Sequence, residues 1–164
     1  MSDGPVVAPP SAAEVAELLA RYWHRYDAGD MDGLAPLLTP DARFVTRTDT
    51  GTTDYEEFVR SDVTGRAAAV DWQRPHRADS PFPLRHCALD VVADPDGPDA
   101  ATFESYLLVT QILQGKPDPL STGVLRGRVV RSAEGLQFAL LEVVLDTAQS
   151  VPFREVEGGG PQRP

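Results

Sequence analysis

Residues 123–145 read GVLRGRVVRSAEGLQFALLEVVL, and this stretch decides the type of fold. Val124–Arg131 and Leu136–Leu145 are rich in β-branched and other apolar residues, which is typical of strands. The connection between them, Ser132–Gly135, is short and ends in glycine, as the loop of an antiparallel hairpin does. The stretch therefore predicts two neighbouring antiparallel strands at the end of the chain.

Two more strands are predicted upstream of this hairpin, at Leu84–Val92 and Thr102–Leu113. The turn-forming cluster DPDGPD at residues 94–99 separates these two strands, and QGKPDP at residues 114–119 separates the second one from the hairpin. Four strands joined by such short breaks predict an antiparallel meander.

Both faces of the last predicted strand carry apolar side chains. We place Leu136, Phe138, Leu140 and Val144 on one face and Ala139, Leu141, Val143 and Leu145 on the other. An antiparallel sheet with one face in water should alternate apolar and polar residues instead. We therefore expect the outer face to be covered, either by a second copy in a homodimer packed through the sheet or by loops and tails of the same chain.

The first part of the chain predicts helices. Ser11 and Glu14 form a capping box, and apolar residues then recur at helical spacing as far as Tyr26. We predict a short second helix from Met31 to Leu38, a strand at Arg43–Thr46 and a third helix from Thr53 to about Asp62. Helices followed by a strand meander indicate an α+β fold in which the helices cover one face of the sheet.

Composition limits the class of protein. The 164 residues suit one domain, which we place at residues 11–154, with disordered tails at 1–10 and 155–164. The formal charge of -10 argues against nucleic acid or an anionic membrane as a partner. The single Cys87 excludes an internal disulfide and a cysteine-based metal cluster. No apolar run approaches the roughly 20 residues of a membrane span, and no signal peptide is seen, so we expect a cytoplasmic protein.

Three segments together resemble the SnoaL-like branch of the nuclear transport factor 2-like fold. They are RYWHRYDAGDMDGL at residues 21–34 with LTPDA at 38–42, LRH at 84–86, and GVLRGRVVRSAEGLQF at 123–138. The resemblance implies a cone-shaped, curved antiparallel sheet around a pocket that the first helices close. The chain departs from the usual late motif at Leu125, Gly127 and Leu136, where the family has Tyr, Asp and Trp.

The resemblance also implies that Asp27 and His86 converge in the pocket. These two residues match catalytic positions of scytalone dehydratase, a fungal relative, whereas Val124 stands where that enzyme has a second histidine. Histidine beside a carboxylate suits acid–base work, because imidazole titrates near neutral pH and the carboxylate orients it. The alternative is that Asp27 only completes the turn after the first helix and that His86 is structural.

The other candidate residues fall into two groups. Tyr26 and Tyr106 are candidate donors to a developing enolate oxygen, with packing in the core as the alternative for each. A second group is expected to contact the substrate: Tyr22, Trp23, Gly123, Leu125 and Phe138. For Tyr22 we favour core packing, and Gly123 is equally explained by a bend in its strand. We expect no metal and no cofactor.

Arg74, His76, Arg77 and Arg85 form a local basic cluster. It would either guide a carboxylate or phenolate substrate to the pocket mouth or be a solvated loop whose charges pair with Asp71 and Asp79. His24 should be exposed to solvent, because it lies on the side of the first helix opposite Tyr22.

These observations predict a cofactor-independent enzyme of the dehydratase, isomerase or cyclase type, acting on a hydrophobic, aromatic or polyketide-like small molecule. Two alternatives stay open. One is a non-catalytic binding or assembly subunit, which the three departures in the late motif favour. The other is an epoxide hydrolase, which would need an Asp-Arg-Asp set built from Asp27 and either Arg126 or Arg128.

Overall fold

A computed structural model describes residues 8–152 and 155–156. The predictions of disordered tails therefore fall mainly outside the described residues, although Pro10, which we assigned to the first tail, is buried. Among the described residues, no helix is both long enough and apolar enough to cross a membrane.

Helix α1 (Ala12–Ala28) begins as its sequence predicts. The Ser11 hydroxyl accepts the Glu14 N–H, and the Glu14 carboxylate accepts the Ser11 N–H, so the capping box is complete. The helix ends at Gly29, whose φ of 73° is in the left-handed region where glycine carries no steric cost. Asp30 then caps the short helix α2 (Met31–Leu34), which a single 3-10 turn extends to Leu37.

Six strands form one open sheet in the order β2-β1-β6-β5-β4-β3. Their bounds are β1 (Leu38–Thr48), β2 (Ser61–Thr64), β3 (Leu84–Pro95), β4 (Ala100–Leu113), β5 (Lys116–Ser132) and β6 (Gly135–Leu145). Strands β3 to β6 form the predicted antiparallel meander. The expectation of a wholly antiparallel sheet is wrong in one place, because β1 pairs parallel with β6. Since no hairpin connects these two strands, nothing in the local sequence fixes their relative direction.

The segment between β1 and β3 differs most from its prediction. The third predicted helix is confined to α3 (Glu56–Val59), and a 14-residue helix, α4 (Arg66–Asp79), was missed. The interpretation of the basic cluster as a solvated loop is wrong for three of its members, because Arg74, His76 and Arg77 lie on α4. The internal Pro75 and the polar composition concealed this helix, because its buried face consists only of Ala69, Val70, Gln73 and Arg77.

The core lies between α1 and the inner face of the sheet. Phe138 belongs to it and contacts the rings of Tyr22 and Phe103. Its predicted placement on the same face as Leu140 is wrong, because a bulge separates the two. Phe138 pairs with Val129 and Leu140 with Arg128, and these neighbouring partners point to opposite faces.

Strands β5 and β6 approach each other closely at two glycines. A Cβ on Gly123 would lie 2.3 Å from the Val144 carbonyl oxygen, and one on Gly127 would lie 2.1 Å from that of Leu140. Both glycines are therefore required by backbone packing, because the position of a side chain on either one is occupied by the backbone of β6.

Candidate functional site

A cavity of about 330 Å³ opens between the inner face of the sheet and helices α1, α3 and α4. Its walls are mostly aromatic and aliphatic, and the aromatic side chains are Trp23, Tyr26, Phe44, Tyr55, Phe58 and Trp72. The polar side chains among them are few: Thr46, Gln73, His76, Ser80, Ser121 and His86. An apolar cavity with a few polar groups is the usual form of a small-molecule site.

His86 lines this cavity, and Asp27 is hydrogen-bonded to it from behind the wall. The Asp27 Oδ1 lies 2.6 Å from the His86 Nδ1, and the other carboxylate oxygen accepts the His86 backbone N–H at 3.0 Å. Both side chains are only about a tenth exposed, at 11% and 12%. Because a carboxylate can only accept, neutral His86 carries its proton on Nδ1, which leaves the lone pair on Nε2.

Aromatic stacking fixes the plane of the His86 ring. The Trp23 indole lies parallel to it, with the ring centroids 4.4 Å apart and an angle of 8° between the planes. The Tyr26 ring packs edge-on against His86, with the two ring centroids 5.2 Å apart. Among the described residues, none forms a hydrogen bond with the Nε2 of His86, so this atom is free to meet a ligand.

Arg77 fixes the backbone that carries Asp27. Its buried guanidinium donates to the carbonyl oxygens of Tyr26 and Asp27, with the shortest contact 2.8 Å. The same group reaches the carbonyls of Ser80 and Pro81, which begin the loop that leads into β3. Arg77 therefore ties the C-terminal end of α1 to the approach of the strand that carries His86.

His76 lies in the same cavity on α4. Its Nδ1 is 2.5 Å from the Tyr26 hydroxyl, and its ring stacks between those of Phe58 and Trp72, at 4.4 and 4.7 Å. Burial lowers the pKa of His76 to about 4, and the nearby His86 adds to this effect. Burial also raises the pKa of Tyr26, so its hydroxyl keeps its proton at neutral pH.

The structure brings only some of the predicted site residues together. His86, Tyr26 and Trp23 line the cavity, and Asp27 is bonded to His86 behind them. Tyr22, Leu125 and Phe138 are instead fully buried in the core, and Gly123 packs against β6. Tyr106 lies on the outer face of the sheet with 61% of its surface exposed, because its inward-facing neighbours on β4 are Ser105 and Leu107. It cannot reach the cavity from there.

Arg126 and Arg128 also face outward, toward Glu104 and Asp96 respectively. The Asp-Arg-Asp set of an epoxide hydrolase is therefore not assembled from these arginines and Asp27. Among residues 8–152 and 155–156, no group of three or more His, Cys, Asp or Glu side chains is placed to share a metal ion.

Most of the residues of α3 and α4 that line the cavity were not predicted from the sequence to do so. Trp72 and His76 are four residues apart, so they lie on one face of a helix. That spacing was the available signal, but it has meaning only once the segment is recognised as helical.

The sequence matches the model of the SnoaL-like domain family over residues 10–142. No protein with a curated description matches the chain in sequence.

Solved structures with the same fold come from several bacteria. A nuclear transport factor 2-like protein with a cystatin-like fold from Novosphingobium aromaticivorans is 24% identical, with a TM-score of 0.62 over 82% of this chain and 81% of that one. A Catenulispora acidiphila protein in complex with S-DNPA is 26% identical, with a TM-score of 0.65 over 81% and 91%. ActVI-ORFA from Streptomyces coelicolor is 20% identical, with a TM-score of 0.66 over 81% and 95%.

Replacing Arg77 by Met should destabilise the protein by about 1–3 kcal/mol, because it strands the buried carbonyls of Tyr26 and Asp27. Urea unfolding followed by tryptophan fluorescence measures this change. Arg74→Met, on an exposed face of the same helix, is the matched control and should change the stability by less than about 0.5 kcal/mol. Equal unfolding midpoints for the two variants would contradict the role assigned to Arg77.

The lowered pKa of His76 predicts a loss of stability in mild acid. Between the unfolded value of 6.5 and the folded value of about 4, the unfolded chain binds more protons, so stability falls as the pH is lowered through this window. Around the ring, His86 and Arg77 lower the pKa, whereas Asp79 raises it. His76→Phe keeps a flat ring in the stack and should flatten this dependence by up to about one proton. Urea midpoints at about pH 7, 5.5 and 4.5 measure it, and parallel curves would contradict the prediction.

Proposed function

Because the chain belongs to the SnoaL-like family, we propose that it is a cofactor-independent enzyme that removes a proton next to a carbonyl group of an aromatic or polyketide-like small molecule. Dehydration, isomerisation or ring closure would follow from the enolate. One observation carries the proposal: His86 lines an apolar cavity and is hydrogen-bonded to the Asp27 carboxylate behind it.

His86 would act as the base through its Nε2. The carbon–hydrogen electron pair moves into a new C=C bond as the carbonyl π electrons move to oxygen, and His86 becomes imidazolium. Asp27 stabilises that charge, since its carboxylate lies 2.6 Å from the Nδ1. In a dehydration the enolate expels a β-hydroxyl group, which takes the same proton and leaves as water. The histidine is thereby restored.

Size and lining of the cavity support a flat, mainly apolar substrate. A volume of about 330 Å³ is at the small end of the range for small-molecule sites, and its aromatic walls suit ring faces. The Catenulispora acidiphila protein that resembles this chain holds a small molecule, S-DNPA, on the same fold. The dry walls also strengthen the electrostatic interaction between Asp27 and a charged His86.

Exchange of the C1 protons of 2-tetralone with D₂O, followed by proton NMR, tests the proposal. These protons lie between an aromatic ring and a carbonyl, so a positioned base should accelerate their exchange. Replacing His86 by Gln should slow the exchange by about 10²- to 10⁴-fold without weakening tetralone binding, because the base is lost and the walls remain. His24→Gln is the matched control, since His24 is exposed on α1, and it should exchange at the wild-type rate.

Two results would contradict the enzyme proposal. If tetralone binds but the wild-type protein does not accelerate exchange, the chain acts on the ketone only as a binding protein. If exchange is accelerated equally by wild type and His86→Gln, the base is another group.

We also propose that the outer face of the sheet joins two copies of the chain. Leu89 and Tyr106 are paired across β3 and β4 and are 45% and 61% exposed. Beside them lie charges of both signs, Glu104 with Arg126 and Arg47 with Glu142. A copy related by a two-fold axis can cover the apolar centre and face each cation with an anion.

Light scattering coupled to gel filtration should therefore give twice the chain mass for the wild-type protein. Tyr106→Glu should shift it toward the monomer, because it places a charge in the apolar centre of the interface. Gln149→Glu adds the same charge at an exposed position beyond the end of β6 and should leave the dimer intact. A monomeric wild type, or a dimer that Tyr106→Glu leaves unchanged, would contradict the proposed interface.

A further inference from the structure

The cavity holds two histidines that are anchored in the same way but by different partners. Each ring is stacked on aromatic neighbours, and each is hydrogen-bonded through Nδ1. The partner of His86 is the Asp27 carboxylate, whereas the partner of His76 is the Tyr26 hydroxyl. A carboxylate only accepts, so it places the proton of His86 on Nδ1, whereas a hydroxyl can donate and so allows the opposite proton position on His76.

The Tyr26 O–H can donate to the Nδ1 of His76, and the neutral ring then carries its one hydrogen on Nε2. The lowered pKa of about 4 keeps the ring neutral at pH 7, and the high pKa of Tyr26 keeps the donating proton in place. His86 is the reverse case, with its proton on Nδ1 and its lone pair on Nε2.

The Nε2 of His76 is buried, and no hydrogen-bond partner is found for it among the described residues. A buried donor without an acceptor is costly and rare in folded proteins, so its presence in a cavity wall calls for an acceptor supplied from outside the chain.

We propose that His76 is the hydrogen-bond donor that binds the carbonyl oxygen of the substrate and stabilises it as an enolate, with Tyr26 as the positioning residue behind it. The inference rests on the proposed function and changes one part of it. The hydroxyl of Tyr26, predicted from the sequence to contact the enolate oxygen, is instead committed to His76. No proton is transferred at His76, because the imidazole remains neutral and only donates a hydrogen bond.

This arrangement narrows the class of substrate. One oxygen acceptor must point toward His76 on α4, and the acidic carbon must at the same time reach the Nε2 of His86 on β3. Phe58 and Trp72, stacked on the two faces of His76, leave only the edge of the ring for that oxygen. A planar aromatic ketone or phenol fits these demands, whereas a hydrocarbon of the same size leaves the donor unsatisfied.

Paired binding measurements with 2-naphthol and naphthalene test the inference without any turnover. Quenching of tryptophan fluorescence gives both affinities, since Trp23 and Trp72 line the cavity. The wild-type protein should bind the naphthol about tenfold or more tightly, because only this compound offers an oxygen to His76. His76→Phe keeps the ring stack and should bring the two affinities together. His86→Gln should keep most of the wild-type preference for 2-naphthol over naphthalene.

The tautomer can be read directly by NMR in a His24→Gln protein, which keeps only the two cavity histidines. Nitrogen-15 NMR of this histidine-labelled protein should show one ring with its proton on Nε2 at pH 7, and adding Tyr26→Phe should disturb that signal more than the signal of His86. A charged His76 at pH 7, or one with its proton on Nδ1, would overturn the inference.

The outcomes separate the two proposals. Equal binding of naphthol and naphthalene by the wild-type protein would overturn the role of His76 but leave the aromatic cavity and its base in place. A preference for 2-naphthol that survives in His76→Phe would also overturn the role of His76. Binding of neither compound would contradict the proposed function itself, and the inference with it.

Discussion

The buried guanidinium of Arg77 is the contact on which the arrangement of the site depends. It satisfies carbonyl oxygens at the end of α1 and at the start of the loop before β3, two segments that are far apart in the sequence. Its charge is compensated by these carbonyl dipoles, which include the negative end of the α1 macrodipole. Asp27 is thereby held beside His86, within the short distance that lets a carboxylate define the tautomer of an imidazole.

The cavity separates the roles of its two histidines through their surroundings. Both rings are buried among aromatic side chains, where forming a charge without a counter-ion is costly. His86 has a carboxylate partner, whereas His76 has only a hydroxyl and burial lowers its pKa to about 4. In the proposed mechanism a base and a neutral donor would share one cavity, which is the combination that enolate chemistry requires.

Local signals in the sequence predicted the elements whose causes are local. The capping box of Ser11 and Glu14, the glycine at position 29 and the hairpin turns depend on residues a few positions apart. The pairing of Asp27 with His86 came from the family resemblance, because 59 residues separate the two. The parallel pairing of β1 with β6 and the bulge that turns Phe138 inward have no local signal. They follow from how distant strands meet, and α4 was hidden because Arg77, a charged residue, occupies its buried face.

The positions of the three departures from the family motif show whether they bear on catalysis. Leu125, Gly127 and Leu136 replace aromatic or polar residues, which favoured a protein that had lost catalysis. None of the three lines the cavity. Leu125 is fully buried in the core, Gly127 sits where a Cβ would collide with the Leu140 carbonyl, and Leu136 packs against the core. All three positions serve packing and lie outside the cavity wall. The departures are therefore no argument against the proposed chemistry at Asp27 and His86.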